Sequence, residues 1–338
     1  MRVAVLGLGF MGSVHLKALR SIPGAELAAV YSSDPVKLSG DLSAIQGNLG
    51  GPGEHFDFST VRKYTDIPAL LADASIDAVD LCLPTDLHAP VAVDALRAGK
   101  HVLVEKPMAI DTASARRMID EATRQNRILM TGQVLRFFPM YQVLRDRLRD
   151  GQLGRVRWAM FRRRCAAPAW SQWLADPARS GGGVFDLLIH DLDMCLHLFG
   201  KPATLAATGY QALDAGIDLM SADLHYPGGF TAHVTGGWHH PKSYPFSMEY
   251  TVASDGGTLE YSSSGRPPTL HRADGQAEVL PQAEGDAYAA QIAYFLECCR
   301  AGRQPDLCPP RESADAVSLA HLMLDSRTRN GERMECKL

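Results

Sequence analysis

Residues 181–200 read GGGVFDLLIHDLDMCLHLFG, apolar on nearly every side yet carrying Asp186, His190, Asp191, Asp193 and His197. A helix that is hydrophobic all round belongs inside a protein. Ionisable groups there are costly unless they are paired, bound to metal or chemically employed. In a helix starting near residue 184, Asp186 and His190 share a face and Asp193 follows three residues on. The residues alone leave three uses open: a metal stripe of Asp, His, Asp and His; a structural Asp–His pair; or acid–base chemistry in which Asp186 orients and tunes His190. The metal reading is weakened because no sequence-local carboxylate or thiol cluster completes the set, and no metal site is expected.

Three further segments carry chemistry-bearing residues. Gly7, Gly9 and Gly12, with Phe10 and Met11 between them, form GxGxxG behind the apolar run RVAVLG. The first glycine permits a tight turn, the second lets backbone approach a pyrophosphate, and the third lets helix and strand pack closely. LCLPTDLH at 81–88 ends a strand in Leu83, Pro84, Thr85, Asp86 and His88, and the carboxyl ends of such strands line the ligand crevice of an open α/β sheet. VLVEKP at 102–107 sets Glu105 and Lys106 at the end of the next strand. That lysine is either near a nicotinamide and partly desolvated, or part of an ordinary surface pair.

The elements that must position these residues alternate. Strands are expected at 2–7, 25–32, 77–85, 100–107 and 127–134, with helical patterns between them, which defines a right-handed parallel sheet. After about residue 135, segments such as RVRWAMFRRR, TLAATGYQA, FTAHVTGGW and FSMEYTVAS crowd together between turn residues and read as an antiparallel meander. The 181–200 helix is inserted in it, and helices at 286–301 and 311–324 close the chain. The expected domains are 1–134 and 135–338. GNLGGPGEHFDF at 47–58 reads as a surface insertion.

Composition narrows the class. With 46% hydrophobic residues in 338, the chain can bury a large core, and a net charge of −4 offers no general field for nucleic acid or an anionic membrane. The basic run at 162–164 reads as a solvated sheet face. No apolar run is long enough to span a bilayer, and no signal peptide precedes the first strand. Seven scattered cysteines without a CxxC fit a cytoplasmic protein with reduced thiols.

Together GLGFMG at 7–12, LPTDLH at 83–88, ALRAGKHVLVEKP at 95–107, RFFP at 136–139 and GGGVFDLLIHDLD at 181–193 resemble the family of glucose–fructose oxidoreductase, inositol dehydrogenase and related sugar dehydrogenases (Gfo/Idh/MocA) over nearly the whole chain. The resemblance implies an α/β Rossmann domain plus an α+β domain with a large open, mostly antiparallel sheet that commonly mediates oligomerisation. It matches Lys106 to the family's catalytic lysine, and Asp186 and His190 to its carboxylate and acid–base histidine. Leu188 stands where many relatives have glycine, and the 47–58 loop is longer than expected. The expected reaction is NAD(P)-dependent oxidation of a secondary alcohol on a sugar or cyclitol. A cofactor-retaining enzyme that oxidises only transiently, or a non-catalytic dinucleotide-binding regulator, are the alternatives. Arg136, Trp170, Trp173 and Asp193 are candidates for the substrate pocket.

Three structural expectations accompany this reading. Lys106–Pro107 is expected to be cis. The second sheet has too few helices to cover both faces, so a homodimer or homotetramer is expected. An NAD-specific site would place a carboxylate about 20 residues beyond the glycines, where this chain has Ser32 and Ser33; Asp34 before Pro35 is biased away, and Lys37 is the nearby cation. That pattern leans to NADP or to dual use.

Overall fold

The computed structural model describes residues 1–45, 47, 53–168 and 172–338, the side chain of Gln172 excepted. Trp170 and part of the 47–58 insertion therefore lie outside the described residues. The chain divides into two compact units, one of residues 1–134 and 285–314, the other of 135–284 and 315–338. A single division after residue 134 thus misassigns 285–314, which return to the first unit.

In the first unit, strands β1 (Arg2–Leu6), β2 (Glu26–Tyr31), β3 (Arg62–Tyr64), β4 (Ala78–Leu81), β5 (His101–Val104) and β6 (Leu129–Thr131) form a sheet in the order β3-β2-β1-β4-β5-β6. Every neighbouring pair is parallel. Their apolar runs are buried on both faces, as parallel strands between helical layers must be. β3, RKY, has no apolar run and is invisible to a periodicity reading. The strand order reverses between β1 and β4, and there such sheets open their ligand crevice. The segments leaving those two strands are Gly7–Gly9 and Cys82–Thr85. The returning helix Ala287–Ala301 is capped by Asp286, whose carboxylate accepts the Tyr288 N–H. It packs on the Phe10–Leu19 helix, with the Tyr288 and His15 rings 6.1 Å apart.

In the second unit, β7 (Val156–Cys165), β8 (Thr204–Ala212), β9 (Ile217–His225), β10 (Thr231–Trp238), β11 (Ser247–Ser254), β12 (Gly257–Ser262), β13 (Arg266–Arg272), β14 (Ala277–Val279) and β15 (Met334–Glu335) form a second sheet, ordered β14-β13-β12-β11-β7-β10-β9-β8-β15. Neighbours are antiparallel except β7 and β10, which run parallel. The expected meander is therefore a mixed sheet with one internal parallel pair. Alternation puts Ala159, Phe161, Arg163 and Cys165 of β7 in the core, and leaves Arg162 and Arg164 outside, both paired with Glu249. Arg163 corrects the reading of the whole basic run as solvated, since it is 2% exposed. The outer face carries Trp158 and Tyr210 among ion pairs such as His233–Asp223, so it is mixed rather than bare and apolar. Helix Pro139–Arg149 was unexpected: it buries only Tyr141 and Leu144, too few positions for a helical period to stand out.

Candidate active site

The first unit supplies a nucleotide cradle. Gly7 has φ +99°, and a Cβ there would fall 2.4 Å from Cys82 O; a Cβ on Gly12 would fall 2.0 Å from Gly7 O. Only glycine permits either. Gly9 meets nothing within 4 Å, and no side chain caps the Phe10–Leu19 helix that it opens. The turn therefore fits a pyrophosphate, with the first-turn backbone of Phe10 and Met11 and the helix dipole directed at it. Ser32 closes β2, 7% exposed, and its hydroxyl accepts the Asp34 N–H at 3.1 Å. Ser33 is exposed. The Asp34 carboxylate accepts the Val36 N–H as a helix cap.

Leu83, Pro84 and Thr85 leave β4 as expected, Pro84 opening a short turn over Thr85–Leu87. His88 departs from expectation. It is 1% exposed, and its ring nitrogens lie 2.8 Å from Pro107 O and 2.9 Å from Leu83 O. It staples the LPT loop to the EKP loop, both ring nitrogens lying against backbone carbonyls. Burial outweighs those two carbonyls and pushes its pKa down. Lys106–Pro107 is cis, as the sequence led one to expect. Glu105 is buried and Lys106 only half-buried.

Behind the strand ends, His15 is fully buried. Its Nδ1 donates to Asp80 Oδ2 at 2.8 Å, and its Nε2 makes an ion-pair contact with Glu105 Oε1 at 3.1 Å. Burial opposes the imidazolium, but the Asp80 carboxylate overrides it, and the pKa stands well above the ordinary value of 6.5. His15, Asp80 and Cys82 bring three ligand-type atoms within 4.8 Å of one another. Burial and Asp80 push the Cys82 thiol up to about 12, so it stands protonated beside the His15–Asp80 pair. The cluster reads as a buried ion pair.

In the second unit, the triple glycine is explained by what it packs against. Gly182 has φ +77°, and a Cβ there would fall 2.8 Å from Asp218 Oδ2. That carboxylate accepts the Gly183 N–H at 2.7 Å and is itself held by Arg327 at 2.6 Å. The helix then opens with a π turn, Val184–Leu188, before the α-helix Ile189–Phe199. Asp186 and His190 thus straddle the join between the two and do not sit on one regular α-helical face; π turns inside helices recur at functional sites. Leu188 is fully buried, so its departure from glycine is absorbed in the core, while Leu187 packs with Cys165 and Trp238.

The five polar residues of this segment now separate. Asp191 is 0% exposed, and both its oxygens are held by Arg163 at 2.9 and 3.0 Å. Asp193 is held by Arg136 through Nε at 2.8 Å and Nη2 at 2.6 Å, with side chains 1% and 0% exposed. Arg136 and Asp193, both candidates for the substrate pocket, are buried and paired with each other. His197 is pushed down to about 3 by burial and by Arg136, Arg149 and Arg145. Cations beside Asp193 and His197 break the supposed metal stripe. Asp186, His190 and His197 are half-buried, and of these His197 is the one set among cations. Trp173 is half-buried in the turn Gln172–Ala175.

His15 and Asp80 were not singled out from sequence, and Arg163 was read only as part of a solvated run. The signal existed: Asp80 interrupts a strand otherwise apolar on both faces, the same anomaly that drew attention to residues 181–200.

Residues 1–133 match the NAD-binding Rossmann-fold domain of the Gfo/Idh/MocA oxidoreductases, and residues 141–260 match a C-terminal domain of that family. The chain belongs to the Gfo/Idh/MocA oxidoreductase family. It is 29% identical to an inositol 2-dehydrogenase of Rhizobium meliloti (strain 1021), over 90% of each chain. It is 31% identical to a D-apiose dehydrogenase of Paraburkholderia graminis, over 99% of this chain and 89% of that one. An oxidoreductase from Agrobacterium radiobacter, solved with NAD+, L-tartaric acid and magnesium, shares the fold with a TM-score of 0.82 at 20% identity, covering 99% of this chain and 98% of the other.

Proposed function

We propose that this protein reversibly oxidises a secondary alcohol of a sugar, sugar derivative or cyclitol. The bound nicotinamide supplies the hydride acceptor. Gly7, Gly9, Phe10, Met11 and Gly12 hold its pyrophosphate, Ser32 and Ser33 its adenosine ribose, and Leu83, Pro84, Thr85 and the Glu105–Lys106 backbone border the rest. His190 takes the hydroxyl proton as general base, Asp186 orients the imidazole or a substrate hydroxyl, and Lys106 steadies the developing oxyanion. The observation that carries this reading is selective exposure: Lys106, Asp186 and His190 stay accessible, while Glu105, Asp191 and Asp193 beside them are buried. The inositol and apiose dehydrogenases among the relatives support this substrate class.

The test is a screen of cyclitols, aldoses and glycosides with NAD and NADP, followed at the nicotinamide absorbance band with product analysis. Net reduction of the cofactor by a cyclitol or sugar is expected. Products formed without net reduction would favour transient oxidation instead.

The cofactor preference leans to NADP or dual use. No carboxylate stands at position 32, and that of Asp34 is turned to the Val36 amide. Comparing turnover with both cofactors in the native enzyme and in Ser32→Asp decides it: the new carboxylate should depress use of NADP. A native enzyme already strongly selective for NAD and unmoved by the change contradicts the reading. Assembly as a homodimer or homotetramer through the outer face of the second sheet is the expected state; a monomeric mass by light scattering at micromolar concentration overturns it. The seven cysteines all stand as free thiols, which fits a reducing, cytoplasmic setting. Among the described residues no helix is long and apolar enough to cross a membrane.

A further inference from the structure

The tripeptide Glu105-Lys106-Pro107 is gripped on both sides by buried histidines. On one side His15 Nε2 lies 3.1 Å from Glu105 Oε1, and the other oxygen of that carboxylate accepts the Lys106 N–H at 3.1 Å. On the other side His88 lies 2.8 Å from Pro107 O. Behind His15 stands Asp80, 1% exposed, in a strand whose neighbours are apolar. That buried carboxylate is held by the imidazole 2.8 Å away and accepts the Cys82 thiol at 3.7 Å. The line Asp80–His15–Glu105–Lys106 therefore runs from the middle of the sheet to a half-exposed lysine at its edge. The groups facing His15 are Asp80 and Cys82 from β4 and its end, Glu105 from the end of β5, and Tyr288 from the returning helix.

Gly132 completes the seat. A Cβ there would fall 2.8 Å from Glu105 Oε1 and 3.3 Å from Gln291 Nε2, so the carboxylate occupies the space a side chain would fill. Gln291 is 0% exposed and presses on the same glycine. A carboxylate hemmed in by a glycine, an imidazolium and a backbone N–H has little freedom to turn. The lysine whose N–H it accepts shares that restraint.

We propose that His15, backed by Asp80 and acting through Glu105, is a positioning residue that sets the backbone from which Lys106 works. This rests on the reading of Lys106 as the residue that steadies the oxyanion. Displacing a catalytic group by a fraction of an ångström costs about 10-fold or more in turnover without weakening cofactor binding. Two residues acting through a third are non-additive with it.

The experiment measures kcat on the fastest substrate of the screen above, and NADH affinity by fluorescence, for His15→Gln, Glu105→Gln and Gly132→Ala. Each is made in the native enzyme and again on a Lys106→Ala background, with thermal melting as the check on folding. The expected result is a drop in kcat of about 10-fold or more in the native background. NADH affinity should hold, and the Lys106→Ala background should show no further drop. Gly132→Ala reaches the same carboxylate without touching a charge, so it carries the test if the charge variants fold poorly. Native kcat in the variants, or an equal drop on both backgrounds, overturns the positioning role. Full turnover in Lys106→Ala itself overturns the reading on which the proposal rests, and the two failures are distinct.

Discussion

The two units bury charge in different arrangements. In the first, one cation, the His15 imidazolium, sits between the carboxylates of Asp80 and Glu105. In the second, three anions, Asp191, Asp193 and Asp218, are each clasped by a guanidinium, and burial with the surrounding cations holds the His197 imidazole neutral. Yet each arrangement has a half-buried neighbour one residue away: Lys106 beside Glu105, and His190 beside Asp191. The difference teaches where to look for chemistry. On the reading proposed above, the most heavily bonded charges fix the backbone, and the accessible residue next in line is the candidate for chemistry.

The largest effect expected from breaking this comparison is on stability. Removing Asp193 leaves the Arg136 guanidinium buried and uncompensated, which costs about 3–5 kcal/mol. Asp193→Leu should show that loss in urea unfolding, while the paired change Arg136→Met with Asp193→Leu should recover most of it. A single variant as stable as the native protein would mean that the pair holds nothing.

His190→Ala, three residues away, should do the reverse. Its kcat falls ~100-fold or more, the scale of a lost general base, while the urea midpoint moves little. Unchanged turnover would remove His190 from the mechanism.

A smaller effect, opposite in sign for the two histidines, sharpens the contrast. The folded pKa of His15 is raised, so its stabilisation is complete below about 6.5 and fades as pH climbs through the raised value. That of His197 is depressed to about 3, so its contribution is present above about 6.5 and is lost as pH falls toward 3. Melting temperatures of His15→Gln and His197→Asn across pH 4.5 to 10 should therefore converge with the native curve at opposite ends, His15→Gln in alkali and His197→Asn in acid. Parallel curves would show that neither histidine titrates as described.

The smallest effect belongs to Arg157 and Asp255, 2.6 Å apart but with side chains 54% and 49% exposed. Arg157→Ala should leave the melting temperature almost unmoved, because solvent already screens the pair.

The glycine turn, the alternation of strands and helices and the EKP tripeptide are legible in the sequence because each is a local signal. The glycine spacing is itself the signal, and Gly12 must avoid Gly7 O only five residues back, although Gly7 faces the distant Cys82 O; β1 announces itself by an unbroken apolar run. The sorting of residues 186–197 into bonded and accessible groups is not legible there. It depends on Arg136 and Arg163, tens of residues upstream, and on which face of β7 Arg163 occupies. Nor does local periodicity reveal the π turn at 184–188, which follows the glycines packed on Asp218, or the position of the 287–301 helix in the first unit.

That helix has a bearing on how the protein is made. Residues 285–314 belong to the nucleotide-binding unit although 150 residues of the other unit, 135–284, are synthesised before them. The nascent first unit leaves the ribosome without the helix that buries Ile292, Phe295, Leu296 and Cys298. All six strands of its sheet precede residue 132, yet the His15 side chain lacks Tyr288 beside it while those 150 residues are synthesised. A gene fragment ending at residue 134 encodes every motif of dinucleotide recognition and still lacks a wall of the domain. Any attempt to express, transplant or fuse the nucleotide-binding half must carry this distant segment along, because the continuous stretch of coding sequence and the folding unit are different objects.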